Sequence, residues 1–261
     1  MTDAELLEAY DAEERTRTGG AAPGFHIEWD GPVLRMIGPG PEASSNAVLF
    51  AHLDQAGAEE AIARQIAFFG AQGRSFEWKH FSHDRPSDLA RRLKSAGFKA
   101  EEPETFVALD LSREIRTPAP EGVEIRRIED PATFGVIGMV NRAVYGDAGH
   151  AAWLQRVIKQ EKCANPDSIV VYAAFAAGSP VGVGWMRHRP GDGFGSLWGG
   201  STLDAYRGRG IYSSLVAVRA EEARKRGCRR LTVDCSPMSL PILERNGFRR
   251  LALITPFTWP S

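Results

Sequence analysis

Cysteine is scarce in this chain. There are three in 261 residues, Cys163, Cys228 and Cys235, an odd number without metal-ligand spacing. That excludes a disulfide-framed secreted module and a cysteine-built zinc site, and a reduced, cytoplasmic protein is the expectation. Neither sign of charge is in excess: 32 Lys and Arg face 33 Asp and Glu, for a formal net charge of −1. A chain so balanced has no general attraction to nucleic acid or an anionic membrane, and neither is expected as a partner. No apolar run approaches the roughly 18 residues of a membrane-spanning helix. The opening stretch, MTDAELLEAYDAEER, lacks the basic-then-apolar start of a signal peptide, so no leader is expected. No acidic cluster announces a polycationic substrate. What is present, 43% hydrophobic and 25% charged, suits one large or two small globular domains.

The most informative stretch is residues 197–227, LWGGSTLDAYRGRGIYSSLVAVRAEEARKRG. Residues 197–203 read as a strand, 204–210 as a glycine- and arginine-rich loop, and 211–226 as a helix stopped by Gly227. Ile211, Tyr212, Leu215, Val216, Ala220 and Ala223 recur at helical spacing and predict a core face. Gly208 and Gly210 allow close backbone approach or positive φ. The unpaired N–H groups of the first helical turn, with the helix dipole, make a site for phosphate. Arg207 and Arg209 add charge suited to several phosphates. The expectation is a phosphate-bearing small ligand on the amides of Gly208, Arg209, Gly210, Ile211, Tyr212 and Ser213. Two other readings stand beside it. One is a structural turn with two solvated arginines. The other is a dinucleotide fold, which suffers because Ser213 stands at its third glycine and only 27 residues follow Asp234.

Along the chain, helices are predicted over residues 4–15, 58–71 and 84–96, and strands over 25–29, 33–37, 47–52, 76–79 and 105–111. Residues 18–24 read as a loop, and residues 112–121, with Pro118 and Pro120, as a linker. A strand at 123–128 follows. Asp130-Pro131 then opens a helix running to about residue 144, and a second covers about 151–162. Strands at 169–176, 181–189 and 194–203 are separated by turns at 177–180 and 190–193, short enough for an antiparallel meander. After the 211–226 helix come a strand at 230–234, a short helix near 239–245 and a strand at 249–257. A faint internal repeat links the halves: a helix ending at Gly73, strand, then helix ending at Gly97-Phe98 parallels the same series ending at Gly227 and Gly247-Phe248. The first copy has Leu-Asp-Gln-Ala-Gly at residues 53–57 where the second has its arginine-glycine loop. Chance similarity of two α/β halves is the alternative.

Arg207-Gly208-Arg209-Gly210-Ile211-Tyr212 resembles the acyl-CoA signature of the GNAT superfamily of N-acyltransferases, Gln/Arg-x-x-Gly-x-Gly/Ala. Tyr212 departs from it, standing where Gly or Ala is usual. Leu203-Asp204-Ala205-Tyr206 before the motif and SPMSLPILERNGF at residues 236–248 also resemble the family's order of elements. The resemblance implies an α/β (α+β) fold of two GNAT-like domains in tandem. Each would be a mixed, mostly antiparallel sheet flanked by helices, with a degenerate domain at residues 1–115 and an acyl-CoA-binding domain at 120–261. It implies an N-acetyltransferase that uses acetyl-CoA and no metal, with direct attack by a primary amine of a small molecule or peptide in a ternary complex. A non-catalytic acyl-CoA-binding or sensing protein is the alternative, and a homodimer is left open.

By the same resemblance, the backbone of Ser201, Thr202 and Leu203 runs alongside the pantetheine arm, and a main-chain amide on that strand polarises the thioester carbonyl. The family's usual acid and one usual base are missing. Leu243 stands at the position of the tyrosine that protonates the thiol, and Thr232 at that of a common glutamate. Asp234 is the candidate proton acceptor or else a turn aspartate. Ser236 is the candidate thiolate partner or else a plain turn serine. Cys235 reads as a small buried residue, since direct transfer needs no nucleophile. Tyr145, Trp153 and Trp198, with Asp147 and His150, fall where this fold builds its acceptor pocket. His188 and the Arg224-Lys225-Arg226 run read as solvated surface, and His80-x-x-His83-Asp84 as capping or surface rather than a metal site.

Overall fold

The computed structural model describes residues 1–19, 23–189, 191 and 193–260. Two positions of the expected turn at 190–193, Pro190 and Asp192, and part of the loop at 18–24 lie outside the described residues. The chain divides into two compact units. The first comprises Met1–Phe106, Asp234–Pro237 and Arg250–Ser261; the second comprises Val107–Val233 and Met238–Arg249.

In the first unit, α1 (Asp3–Tyr10) starts with a capping box between Thr2 and Glu5 and continues through a π-helical turn to Arg15. Then come β1 (His26–Asp30), β2 (Val33–Ile37), β3 (Asn46–Ala51), α2 (Ala58–Gly70), β4 (Phe76–Phe81), α3 (Leu89–Ser95) and β5 (Lys99–Ala100). The sheet runs in the order β1-β2-β3-β4, where β3 and β4 are parallel. The chain's last strand, β12 (Arg249–Trp259), completes it by pairing antiparallel with β4 from Ile254↔Phe81 to Trp259↔Phe76. One face of this sheet packs Trp78, Phe76 and Val48 against Ile62, Phe69 and Leu93 of α2 and α3. The other packs Phe81, Phe106 and Ile254 under Leu7 and Tyr10 of α1.

The helix expected at 84–96 begins only at Leu89. Its intended opening cap is engaged elsewhere: the Asp84 carboxylate takes two bonds from Arg15, at 2.8 and 3.0 Å, and one from the Phe81 N–H. A carboxylate so occupied cannot cap the first turn; the helix starts instead after Asp88, whose carboxylate makes no cap bond and pairs with Arg91 and Arg92.

Strand β6 (Glu104–Asp110) leads to the second unit's β7 (Val123–Ile128), α4 (Gly135–Tyr145), α5 (Ala148–Ala164), β8 (Ile169–Ala176), β9 (Ser179–His188), β10 (Phe194–Thr202), α6 (Ile211–Lys225), β11 (Arg230–Cys235) and α7 (Leu240–Arg245). The sheet order is β7-β8-β9-β10-β11, antiparallel through β10 and parallel between β10 and β11. This is the mixed, mostly antiparallel sheet flanked by helices that the resemblance implies. Helix α5 starts earlier than expected because Asp147 accepts the His150 N–H at 2.9 Å, a cap worth about 1 kcal/mol. Phe134, Ile137 and Ile158 bury against Ile169, Val171, Val183 and Trp185 on one face of the sheet. Ile211 and Leu215 of α6 bury against Ala174, Ala176 and Val181. The expected linker lies along α6: the Pro118 carbonyl accepts from Ser214 Oγ at 2.7 Å, and Arg224 donates to the carbonyls of Leu111 and Arg113.

Two surface expectations are overturned. His188 is 6% exposed. Its Nε2 lies 2.8 Å from Arg226, and burial together with that cation lowers its pKa. The cationic helix end is also not simply solvated, since Arg226 holds Glu222 at 2.6 Å. Glu222 is a buried carboxylate that also engages Tyr172 and Arg127. A buried charge gathers partners.

Candidate active site

Helix α6 begins as its sequence predicts. Gly210 takes the N-cap position at φ 86, and Gly208 has φ 73. A Cβ on Gly208 would meet nothing within 4 Å, and one on Gly210 only Pro120 at 3.9 Å. The glycines are therefore needed for left-handed backbone rather than for space. No side chain caps α6. Of the two loop arginines, Arg207 pairs with Asp204 at 2.8 Å and reaches the Thr202 carbonyl at 3.3 Å. Arg209 lies over the Tyr206 ring, 5.0 Å from its centroid. An uncapped helix start with two partly exposed guanidinium groups fits a diphosphate.

The first unit offers a control built into the same chain. Strand β3, α2 and β4 repeat the β10-α6-β11 arrangement, with a short parallel register at Ala47↔Glu77 and Val48↔Trp78. There the loop before the helix carries a carboxylate, although α2 itself has no side-chain cap. Asp54 Oδ1 accepts the N–H groups of Ala56 and Gly57, at 3.1 and 2.7 Å. The first unit thus has an acidic side chain in the loop where the second has Arg207 and Arg209.

Strand β10 pairs with β11 only from Phe194↔Arg230 to Ser196↔Thr232, and the ladder between them ends there. On its other side β10 pairs with β9, with a register break between Trp198 and Ser201. Ser201 is 3% exposed and its Oγ lies 3.4 Å from Tyr145 Oη. Thr202 is also buried, and its Oγ1 has no hydrogen-bond partner. The N–H of Leu203 returns to the Val181 carbonyl at 2.9 Å. Ile211 is buried, and Tyr212 and Ser213 are half-buried on the first turn of α6. The Tyr212 ring occupies space that a side chain at 200 would fill: a Cβ on Gly200 would be 2.5 Å from its Cε2. That glycine accounts for the family's small residue being replaced by tyrosine at 212.

The aromatic residues expected near an acceptor are partly assembled. Tyr145, 64% exposed, reaches Ser201, whereas Trp153 packs with His150 at 5.4 Å between ring centroids. Trp198, 43% exposed, donates its indole N–H to Ser196 Oγ at 2.8 Å and lies under Arg187.

Asp234 and Ser236 group with the first unit. The Asp234 carboxylate is held by Lys79 Nζ at 2.5 Å. Burial alone would lower the Lys79 pKa, but Asp234 and its neighbours override this and raise it. Glu77 and Glu104, both raised mainly by burial, feel the same lysine. The two positions of missing proton carriers are structural. Leu243 is fully buried, and Thr232 Oγ1 donates to the Gly195 carbonyl at 3.4 Å. Cys235 is 2% exposed. His83 pairs with Asp11 at 2.9 Å, and no metal-holding cluster of His, Cys, Asp and Glu occurs among the described residues.

A strand whose parallel ladder stops short, a bulge on that strand, and an uncapped helix after a glycine-arginine loop thus lie together in the second unit. Residues 125–248 match the family model described as "Acetyltransferase (GNAT) family". Over that stretch, just under half of the chain, the sequence is that of a GNAT-family domain. Among curated proteins, it is 41% identical over 56 residues to the acetyltransferase Atu2258 of Agrobacterium fabrum (strain C58). That match covers 21% of this chain and 41% of the relative, so the chain spans well under half of that protein. Among solved structures, a GCN5-related N-acetyltransferase from Kribbella flavida superposes with TM-score 0.72 at 15% identity, covering 99% of this chain and 96% of that one. A tandem GNAT protein from the clavulanic acid biosynthesis pathway superposes with TM-score 0.66 at 13% identity, covering 99% and 94%. At such identities the likeness is one of fold, and the fold is the tandem GNAT fold.

No helix among the described residues is long and apolar enough to cross a membrane.

Proposed function

We propose that this protein is an N-acetyltransferase that moves the acetyl group of acetyl-CoA to a primary amine of a small molecule or peptide. The observation that carries the reading is the contrast between the loops before the two helices: neither helix has a side-chain cap, but α6 follows Arg207 and Arg209, while α2 follows Asp54, whose carboxylate takes the Ala56 and Gly57 N–H groups. The amides of Gly208 to Ser213 take the diphosphate, and the main chain of Ser201, Thr202 and Leu203 takes the pantetheine arm as an added strand. Acetyl-CoA, when bound, supplies a thioester-activated acetyl group. The protein's part is to hold it, to polarise its carbonyl from the β10 main chain, and to exclude water.

Proton handling falls to the acceptor and solvent. Asp234 is engaged by Lys79, so its carboxylate is already committed to that ammonium. Tyr145, Trp198 and Trp153 frame the acceptor side. Residues 120–261 act as the acyl-CoA-binding domain and 1–115 as the degenerate one.

Two measurements test this reading. Thiol release from acetyl-CoA across a broad panel of amines should track the added amine. CoA binding without amine-dependent release would instead identify an acyl-CoA sensor. Calorimetry should count a single CoA per chain, and Asp54→Asn should leave that affinity unchanged. A second CoA on the wild-type chain would contradict the assignment of Asp54 as a built-in anion.

A further inference from the structure

The register of β9 with β10 matches Trp198 with Trp185 and then Ser201 with Val183. Between those pairs Gly199 and Gly200 face Gly184 alone, two residues against one, which is a bulge. A bulge strands main-chain groups that a regular ladder would pair, and each needs another partner. Arg219 of α6 supplies them. Its Nη1 donates to the carbonyls of Trp185 and Trp198, at 3.2 and 3.1 Å, and its Nε to Leu215 O at 2.8 Å.

Arg219 is 1% exposed, and its described partners are all backbone carbonyls. Burial pushes its pKa down to about 10. Such a charge is costly to retain unless its contacts do something. The glycines around it are fitted to it. A Cβ on Gly184 would stand 2.8 Å from Arg219 Cζ, and one on Gly200 would be 3.5 Å from its Nη2. From Gly199, at φ +59, a Cβ would be 1.9 Å from the Trp185 ring. The bulge is thus pinned by an arginine and a tryptophan.

We propose that Arg219 is a positioning residue for acyl transfer, bridging the Trp185 and Trp198 carbonyls to fix the β10 bulge against the acyl thioester. The inference rests on the thioester lying along β10, as in the proposed function. Beyond geometry, a cation on the Trp198 carbonyl polarises that whole peptide and makes its N–H, that of Gly199, a stronger donor.

The test is isotope-edited infrared spectroscopy of acetyl-CoA labelled with carbon-13 at the thioester carbonyl, bound to wild type, Arg219→Met, Arg219→Lys and Gly184→Ala. Wild type should shift the carbonyl band to lower frequency than in free solution. Arg219→Met should lose at least about half of that displacement while affinity for CoA, which lacks the carbonyl, stays within about twofold. Arg219→Lys, which keeps a donor and the charge, should recover part of it. Gly184→Ala pushes the guanidinium off its carbonyls without removing it and should behave like Arg219→Met; it carries the test if Arg219→Met does not fold. An undisplaced wild-type band, or a band unchanged in the folded variants, overturns the inference while leaving CoA binding intact. Failure of wild type to bind CoA at all would overturn the proposed function, and this inference with it.

Discussion

Gly210→Glu should abolish CoA binding in a chain that still folds. The substitution acts in two ways of different size. Gly210 sits at φ 86, where a side chain costs about 1–2 kcal/mol. Part of that is offset, because a carboxylate at a helix start is favourable by about 0.3–1 kcal/mol. The fold should therefore survive with a modest loss of thermal stability. Binding should not survive, because the new carboxylate stands where the diphosphate is expected. Juxtaposed like charges cost several kcal/mol, enough for an affinity loss on the order of 10³-fold. Gly210→Ala carries the same backbone strain without the charge, so it separates the two effects and should weaken CoA only modestly. Calorimetry is the measurement, and unchanged affinity in folded Gly210→Glu would refute the loop assignment.

The second large effect is expected in the first unit. Lys79→Met should lower stability by about 2 kcal/mol, or about 5 °C in Tm, because it leaves Asp234 without its partner. The figure is below that of a fully buried pair because the two side chains are 24% and 18% exposed. The pH dependence has a definite sign. The folded Lys79 pKa lies above its ordinary 10.5. Its contribution is therefore fully present below that value and is lost only as pH rises through the higher, folded one. Wild type should accordingly show no loss from this pair between about pH 6 and about pH 9. Glu77 and Glu104 have folded pKa values raised above 4.5, so their contribution is present in acid and lost as pH rises. Removing the lysine that moderates them should exaggerate this. The variant should recover stability relative to wild type as pH falls toward about 5. Thermal unfolding across that range checks it. A deficit that grows on acidification would show that the carboxylates do not share the lysine.

Periodicity and punctuation made much of this molecule readable in advance. The strands at Val123–Ile128 and Ile169–Ala176 fall where apolar alternation and flanking turns put them, and α6 runs from Ile211 because Gly210 and the apolar stripe demand it. Local signals failed where a residue's partner lies far along the chain. Asp84 looks like a helix cap until Arg15 takes its carboxylate. Arg219 and Glu222 lie outside the apolar stripe predicted for α6, yet both are buried. The one trace of Arg219 in the sequence was a set of glycines on two strands, Gly184, Gly199 and Gly200, where a strand gains nothing from glycine unless something presses close. Asp234 was equally opaque, since nothing near it in sequence points to Lys79.

The pairing of β12 with β4 also constrains how the protein can be made. Five of the six strands that build the first unit's sheet are synthesised early, but the partner of Phe76–Phe81 lies at Ile254–Trp259, beyond nearly all of the second unit. While the ribosome is still translating the intervening chain, β4 has a bare rim of unpaired amides and carbonyls, the kind of rim that recruits strands from other molecules. Nascent or truncated forms that stop short of Arg249 should therefore be sticky, and chaperone dependence should end abruptly with delivery of this late strand.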